Sequence, residues 1–161
     1  MTVMLTGGAG FIGSHMAAFL LEKKIDFVIV DNLSNSDTRN LEALKLFFGK
    51  NISFEQVDIR DKKSMSSIFN NYQINSIIHF ASLKSVDESV LNPKLYEDNN
   101  VYGAKVLIDL AKEFAISKFI FSSSACVYGE PNFTPLTEDH QLNPINPYGK
   151  NKVDIETLLL N

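Results

Sequence analysis

Tyr148 and Lys152 are the residues of this chain whose types and spacing are best suited to proton transfer. On a helix, the segment Tyr-Gly-Lys-Asn-Lys would place a phenol and an ammonium one turn apart on the same face. A free tyrosine has a pKa of about 10, and a neighbouring positive charge stabilises the phenolate and lowers that pKa toward neutrality. The spacing therefore predicts that Tyr148 acts as a general base.

Three serines, Ser122 to Ser124, follow a predicted fifth strand upstream of this pair. The hydroxyl of Ser124 could hydrogen-bond a substrate hydroxyl and relay its proton. A tyrosine–lysine pair of this spacing also arises by chance, as an interfacial aromatic residue and a surface charge. The serines and a glycine-rich loop upstream favour the catalytic interpretation. Cys126 has no partnered histidine, so we expect a small, buried packing residue.

The glycine-rich loop spans residues 7–13, directly between a predicted first strand and first helix. We expect Gly7 to turn the chain sharply, Gly10 to let the backbone approach a pyrophosphate, and Gly13 to permit close helix–strand packing. The helix N-terminus would direct unpaired N–H groups at the anion. This context predicts a dinucleotide site, whereas the glycine pattern alone is a weak signal.

Asp31 ends the predicted second strand, where a carboxylate accepts hydrogen bonds from both ribose hydroxyls and repels a 2′-phosphate. The combination predicts NAD rather than NADP. The alternative is an incidental aspartate that caps the next loop. Asp58 follows the third strand in the same topological position and could accept from the adenine amino group, with Ile59 packed on the ring. A turn role for Asp58 before Arg60 is equally compatible with the local sequence.

The fourth strand closes with Phe80-Ala81-Ser82-Leu83-Lys84 at the carboxyl edge of the sheet, where open α/β folds bind ligands. Small residues at 81 and 82 would leave room for the ribose and diphosphate. Lys84 would reach a ribose hydroxyl or a phosphate, unless it is an ordinary surface lysine. His79 is interpreted as a hydrogen-bonded histidine at a strand end, since nothing near it in sequence makes it a base.

The elements that must position these residues alternate between strands and helices. This order predicts right-handed βαβ units and a parallel sheet covered on both faces. The predicted strands are Thr2–Thr6, Phe27–Val30, Ile52–Val57, Ser76–Phe80 and Lys118–Ser122. The first predicted helix runs from Phe11 to about Lys23, and the second ends at about Phe48, before Gly49. The third and fourth are predicted over Lys62–Asn70 and Asp98–Phe114. The last begins at Asn146-Pro147, a capping residue followed by proline.

Composition excludes several classes of protein. The 161 residues, 45% of them hydrophobic, fit one domain with a substantial core. A net charge of −4 without a basic cluster argues against nucleic-acid binding. One cysteine excludes an internal disulfide, no signal peptide is visible in this sequence, and no apolar run reaches membrane-spanning length. We therefore expect a cytoplasmic domain that contacts neither membrane nor nucleic acid, and we expect no metal site.

Several longer motifs resemble the UDP-glucose 4-epimerase branch of the extended short-chain dehydrogenase/reductase family. In order, they are TGGAGFIGSH, DNLSNS, VDIRD, IHFASLKSVDESV, DNNVYG, FIFSSSACVYGE and NPYGKNK. The glycine fingerprint and the tyrosine–lysine spacing occur throughout the family, whereas HFASLKSVDESV and SSSACVYG are more specific. Related sugar-nucleotide dehydratases carry acidic residues where this chain has Ala125 and Cys126. The resemblance covers the whole chain but only the first half of such an enzyme.

The resemblance implies a truncated Rossmann fold over residues 1–161, a doubly wound parallel sheet of strand order 3-2-1-4-5, without the C-terminal substrate domain. It implies catalytic roles for Ser124, Tyr148 and Lys152. It implies cofactor contacts from Gly7, Gly10, Phe11, Ile12, Gly13, Asp31, Asn32, Leu33, Ser34, Asn35, Ser36, Asp58, Ile59, Phe80, Ala81, Ser82, Leu83, Lys84, Asn99, Tyr148 and Lys152. Ser82 stands where the family usually has glycine, beside the cofactor.

The implied reaction inverts C4 of a UDP-hexose and interconverts UDP-glucose and UDP-galactose with NAD as cofactor. Because the uridine diphosphate site lies in the half that this chain does not match, we expect NAD binding with little or no activity alone. Two alternatives stay open: a non-catalytic dinucleotide-binding module completed by a partner chain, and an enzyme acting on another UDP-sugar. The apolar residues Leu158 to Leu160 would lie against more sheet or a partner, and a homodimer is also left open.

Overall fold

The structure is a computed structural model that describes residues 2–160. It forms two compact units. The first contains the described residues up to Ala81 together with Asp109–Ser122, and the second contains Ser82–Ile108 with the described residues from Ser123 onward.

The first unit holds a five-stranded parallel sheet of order β3-β2-β1-β4-β5, as predicted. Its strands are β1 (Thr2–Thr6), β2 (Asp26–Val30), β3 (Ser53–Glu55), β4 (Ile74–His79) and β5 (Lys118–Phe121). The helices between them are α1 (Phe11–Glu22), α2 (Arg39–Phe48) and α3 (Lys62–Asn71). Because all strands are parallel, their carboxyl ends meet at one edge, which is where the predicted site residues follow β1, β2 and β4.

Apolar residues alternate along the central strands and bury both faces of this sheet. Leu5 is paired with Ile29 and with Ile78 in register, and all three belong to one buried cluster with Ala17 and Leu20 of α1. The neighbouring residues Met4, Val28 and Ile77 are fully buried on the opposite face. Two-sided burial of this kind makes β1 the rigid support of the loop that follows it.

The second unit is mainly helical. It contains α4 (Val86–Leu91), α5 (Pro93–Tyr96), a π-helix (Glu97–Tyr102), the start of α6 (Gly103–Glu113), a short 3₁₀ helix (Ala125–Tyr128) and α7 (Pro147–Leu160). Helix α7 begins as predicted, because the Asn146 side chain accepts a hydrogen bond from the Gly149 N–H at 2.8 Å. The segment between the 3₁₀ helix and α7 is irregular, also as predicted.

Several element boundaries differ from the prediction by one or two residues, and three differences are larger. The third strand is shorter than Ile52–Val57, because the Val57 N–H turns back to the Glu55 carbonyl at 3.0 Å. Helix α4 was not predicted, although Ser85 caps it by accepting from the Glu88 N–H. The helix predicted from Asp98 begins earlier, since α5, the π-helix and α6 follow one another without a break.

Other expectations concern single residues and absences. His79 is 1% exposed and its Nδ1 lies 2.7 Å from the Thr6 hydroxyl, as expected of a hydrogen-bonded strand-end histidine. Cys126 is half-buried, so the expectation of a buried packing residue is wrong. Over residues 2–160 no helix combines the length and apolar character needed to cross a bilayer. In the same range, no cluster of three or more His, Cys, Asp or Glu side chains could hold a metal ion.

Candidate active site

The glycine loop of the first unit is built by close backbone approaches. Gly7 has φ +71°, and a Cβ there would lie 2.5 Å from the Ala81 nitrogen, so the loop runs directly against the chain that leaves β4. A Cβ on Gly13 would lie 2.2 Å from the Gly7 carbonyl oxygen, which lets α1 start tight against the loop. Sequence reasoning assigned no role to Gly8, yet a Cβ there would meet the Ile29 side chain at 2.7 Å.

The start of α1 is left accessible. A Cβ on Gly10 would meet the Gly7 carbonyl oxygen at 3.3 Å and no other atom within 4 Å, so space remains beside this backbone. Phe11 and Ile12 are 76% and 60% exposed, although both are large apolar residues. The first-turn N–H groups of a helix lack intrahelical partners, so this end of α1 presents donors that suit an anion.

Asp31 ties the glycine loop to the loop after β2. Its side chain is buried; Oδ2 accepts from the Ala9 N–H at 3.1 Å, and Oδ1 accepts from the Leu33 N–H and the Ser36 hydroxyl, each at 2.9 Å. The bonds to Leu33 and Ser36 match the loop-capping alternative considered for Asp31, whereas the bond to Ala9 was not anticipated from the sequence. A carboxylate offers about four acceptor positions, so acceptor capacity remains for a further donor.

The Asp58 carboxylate is held by two neighbours. Arg60 donates to it from its backbone and guanidinium, and Asn32 donates to Oδ2 at 2.9 Å. The hydrogen bond from Arg60 is the main reason that the pKa of Asp58 lies well below its usual range. The turn role considered for Asp58 is therefore present, and its adenine contact stays a prediction. Ile59 is 5% exposed.

In the second unit, Asn100 fixes the loop that leaves β4. Its Oδ1 accepts from the Leu83 N–H at 2.8 Å and its Nδ2 donates to the Leu83 carbonyl at 3.0 Å. The Asn100 side chain thus makes both backbone hydrogen bonds that an adjacent β-strand would make with Leu83. Asn100 is fully buried in the π-helix, an element that is frequent at functional sites. Asn99, which is predicted to contact the cofactor, donates a hydrogen bond to the Asn100 side chain. The Ser82 hydroxyl donates a hydrogen bond to the Leu83 carbonyl. Lys84 is exposed.

Ser124, Tyr148 and Lys152 come together in the second unit, as predicted from their order. The Ser124 hydroxyl accepts from the Cys126 N–H at 3.2 Å, which caps the 3₁₀ helix, and it acts on the Tyr148 phenol by lowering its pKa. The Lys152 ammonium lies 5.5 Å from the centre of the Tyr148 ring. A phenol, a hydroxyl and an ammonium therefore share one small volume.

The fall in the pKa of Tyr148 was expected from Lys152 and the nicotinamide ring of oxidised NAD together, and the protein groups by themselves do not produce it. Burial raises its pKa above the usual value of 10, the Ser124 hydrogen bond opposes that rise, and Cys126 adds to it. Lys152 is 3% exposed, and burial lowers its pKa to about 8 while Glu156 opposes the change. Spacing identified the partners, but it carried no information about how far each would be buried.

Gly149 is a site residue that the sequence analysis missed. A Cβ on it would lie 2.5 Å from the Cys126 carbonyl oxygen, so glycine lets the first turn of α7 pack on the 3₁₀ helix. That contact brings Ser124 beside Tyr148. The glycine inside the Tyr-Gly-Lys-Asn-Lys segment was the available signal, because glycine in a helical turn often marks a close backbone approach.

Comparisons with known proteins agree over nearly the whole chain. The GDP-mannose 4,6 dehydratase family model matches residues 4–161. UDP-glucose 4-epimerase of Neisseria gonorrhoeae is 48% identical over 160 residues, which are 99% of this chain and 47% of that protein. A crystal structure of UDP-glucose 4-epimerase from Bifidobacterium longum with NAD⁺ and UDP is 43% identical, with a TM-score of 0.96 over 99% of this chain and 48% of its own.

A structure of the UDP-Glc/GlcNAc 4-epimerase from Campylobacter jejuni is 34% identical, with a TM-score of 0.94 over 99% of this chain and 48% of its own. The chain thus spans about half the length of the relatives it matches. The matched residues of this chain include the glycine loop and the tyrosine–lysine pair. By this match over almost its full length, the chain belongs to the GDP-mannose 4,6 dehydratase family.

Proposed function

We propose that this chain binds NAD on its glycine loop and contributes Ser124, Tyr148 and Lys152 to the epimerisation of a UDP-hexose at C4. The observation that carries the proposal is the position of the Lys152 ammonium, 5.5 Å from the Tyr148 ring centre, together with the Ser124 hydroxyl, which lowers the pKa of the same phenol. The relatives at 42–48% identity that bear the name UDP-glucose 4-epimerase supply the reaction class.

The residues of the first unit fit a dinucleotide. The open space at Gly10, the exposed Phe11 and Ile12, and the donors at the start of α1 suit a diphosphate and its flanking groups. The carboxylate of Asp31 suits ribose hydroxyls and disfavours a 2′-phosphate. NAD, when bound, supplies an acceptor and donor of hydride at the sugar carbon.

Side chains of this protein would transfer the proton of the sugar hydroxyl. Tyr148 as phenolate would take the proton of the sugar 4-hydroxyl, and Ser124 would relay it through its own hydroxyl. Since burial raises the pKa of Tyr148, the phenolate needs positive charge nearby, which Lys152 supplies while it is protonated. Loss of the proton from oxygen and of hydride from carbon would leave a carbonyl at C4 of the sugar. Once the sugar has turned, return of hydride to the other face of that carbon and of the proton from Tyr148 to the oxygen would complete the inversion.

Isothermal titration of the purified 161-residue protein tests cofactor binding. We expect NAD to bind at least about tenfold more tightly than NADP, because Asp31 would repel the added phosphate. Equal affinities, or no heat with either dinucleotide, would overturn this part of the proposal.

Epimerase assays test the reaction. The chain spans about half the length of its relatives, and binding energy from remote parts of a substrate is used to position the reacting centre. We therefore expect little or no conversion of UDP-galactose to UDP-glucose by this chain alone. Conversion at a rate typical of enzymes, of about 1 per second or more, would contradict that expectation.

Two alternatives have specific support. The similarity to the UDP-Glc/GlcNAc 4-epimerase of Campylobacter jejuni favours testing UDP-N-acetylglucosamine beside UDP-glucose. A non-catalytic module completed by a partner chain is favoured by β5, the last strand of the sheet, where Ile120 is 59% exposed. Light scattering separates this second case, since a monomer at micromolar concentration would count against it.

A further inference from the structure

We propose that Glu156 is a positioning residue for Lys152, whose carboxylate, held by the Ser123 hydroxyl, keeps the lysine charged and in place beside Tyr148. The inference rests on the proposed function for the roles of Lys152 and Tyr148. It adds a residue that neither the tyrosine–lysine spacing nor the serine motif singled out.

The geometry begins with the register of α7. Tyr148, Lys152 and Glu156 follow one another at intervals of one turn, so their side chains share one face of the helix. The Ser123 hydroxyl donates a hydrogen bond to Oε1 of Glu156, which joins the serine segment to the second turn after Tyr148. The next residue, Ser124, lowers the pKa of the Tyr148 phenol, so two successive serines act on the Glu156 and Tyr148 side chains of one helix face.

Lys152 needs such a partner because it is 3% exposed. An ammonium buried to this degree loses most of its hydration, which favours the neutral amine. Burial accordingly lowers its pKa to about 8, and the charge of Glu156 acts in the opposite direction. The elements packed against α7 carry further titratable side chains: Asp87, Glu88, Lys94, Tyr96, Glu97, Asp98, Tyr102, Cys126 and Tyr128. The pKa of Lys152 responds to burial and to Glu156.

The experiment measures the protonation of Lys152 directly, by NMR of protein labelled with ¹³C at the lysine Cε. The Lys152 resonance is assigned by its loss in Lys152→Arg. Glu156→Gln removes the charge and keeps an oxygen that can accept from Ser123. Asp154→Asn is the matched control, because it removes a carboxylate from α7 at a position two residues from Lys152, off its face.

We expect Glu156→Gln to lower the protonation constant of Lys152 about tenfold, and Asp154→Asn to change it less than twofold. Ser123→Ala should lower it in the same direction by a smaller factor, because an untethered Glu156 spends less time near the ammonium. An unchanged titration in Glu156→Gln overturns the proposal, and an unchanged titration in Ser123→Ala overturns the tethering role. Should Glu156→Gln fail to fold by its NMR spectrum, Ser123→Ala and Glu156→Asp carry the test, the latter lowering the constant by withdrawing the charge.

This readout is independent of the proposed function. The lysine titration is measured without substrate or cofactor, so absence of NAD binding would overturn the proposed function while leaving the result for Glu156 intact. Conversely, normal NAD binding together with a Lys152 titration that is unchanged in Glu156→Gln would overturn only the present inference.

Discussion

The backbone N–H of Tyr148 donates a hydrogen bond to the hydroxyl of Ser89 at 3.2 Å, across 59 residues of sequence. Tyr148 is the second residue of α7, and its N–H is one of the donors that a helix start leaves without an internal partner. Ser89 is fully buried and donates in turn to the Val86 carbonyl at 2.6 Å. The hydrogen bond from Tyr148 to Ser89 thus fixes the position of the first turn of α7, and with it Tyr148, relative to helix α4.

Replacing Ser89 with alanine should therefore destabilise the protein by about 2 kcal/mol, because a partly buried N–H loses its acceptor and a fully buried site loses its hydroxyl. Urea unfolding followed by circular dichroism measures the change. Ser67→Ala is the control: its exposed hydroxyl donates to the Lys63 carbonyl at 3.1 Å, and its loss should cost under about 0.5 kcal/mol. Equal effects for the two variants would show that the Ser89 contact does not stabilise α7.

Replacing Gly149 with alanine should destabilise the protein by about 1–3 kcal/mol and separate Ser124 from Tyr148. The added Cβ would stand 2.5 Å from the Cys126 carbonyl oxygen, and backbone atoms can yield only by moving α7. Lys150→Ala, at the exposed next position of the same helix, should have little effect. A Gly149→Ala protein as stable as the native one would contradict this view of the packing.

The fold was largely predictable because its signals are local and agree with one another. Apolar strands ended by glycine or aspartate and followed by helices led to the parallel sheet and to the turn at Gly7. The errors arise where tertiary contacts decide. In the π-helix, the Asn100 side chain hydrogen-bonds both backbone groups of Leu83. A helical pattern in the sequence does not indicate that contact.

The sequence indicated which residues form the candidate site, but it did not indicate how burial changes their pKa values. The spacing of Tyr148 and Lys152 indicated a phenol beside an ammonium, which the structure contains. The protein groups by themselves raise the pKa of Tyr148, because burial outweighs the effect of Ser124. Asp31 was expected to face a ribose or to cap the next loop. The structure contains the capping bonds to Leu33 and Ser36, and it adds a bond to Ala9 that local sequence does not indicate.

Replacing Gly13 with alanine should abolish dinucleotide binding. Its Cβ would stand 2.2 Å from the Gly7 carbonyl oxygen, so the loop and the start of α1 must move apart. Gly49→Ala is the comparison: φ is +62° there but no atom lies within 4 Å of the added Cβ. It should cost about 1 kcal/mol of stability and leave NAD affinity within twofold. Titration calorimetry measures both affinities, and comparable losses would exclude a specific role for the loop.

Lys152 should make stability rise with pH. Burial lowers its pKa from 10.5 to about 8 in the folded protein, so between these values the unfolded chain binds more protons and folding gains as pH increases. The native protein should gain about 3 kcal/mol relative to Lys152→Met across this window. Tyr96, whose pKa burial raises to about 12, is common to both proteins and cancels in the difference. Parallel stability curves from pH 7.5 to 10 would contradict a buried, titrating lysine.

The most direct measurement is a map of backbone amide shifts in the ¹⁵N spectrum of this protein as NAD is added. A dinucleotide on the glycine loop should shift the amides of residues 7–13 and 31–36 most, and the same titration of Gly13→Ala should leave them unmoved. Saturable shifts in those two segments would support the central claim that this fold binds NAD at the start of α1. Shifts confined to other segments, or none at millimolar NAD, would contradict it.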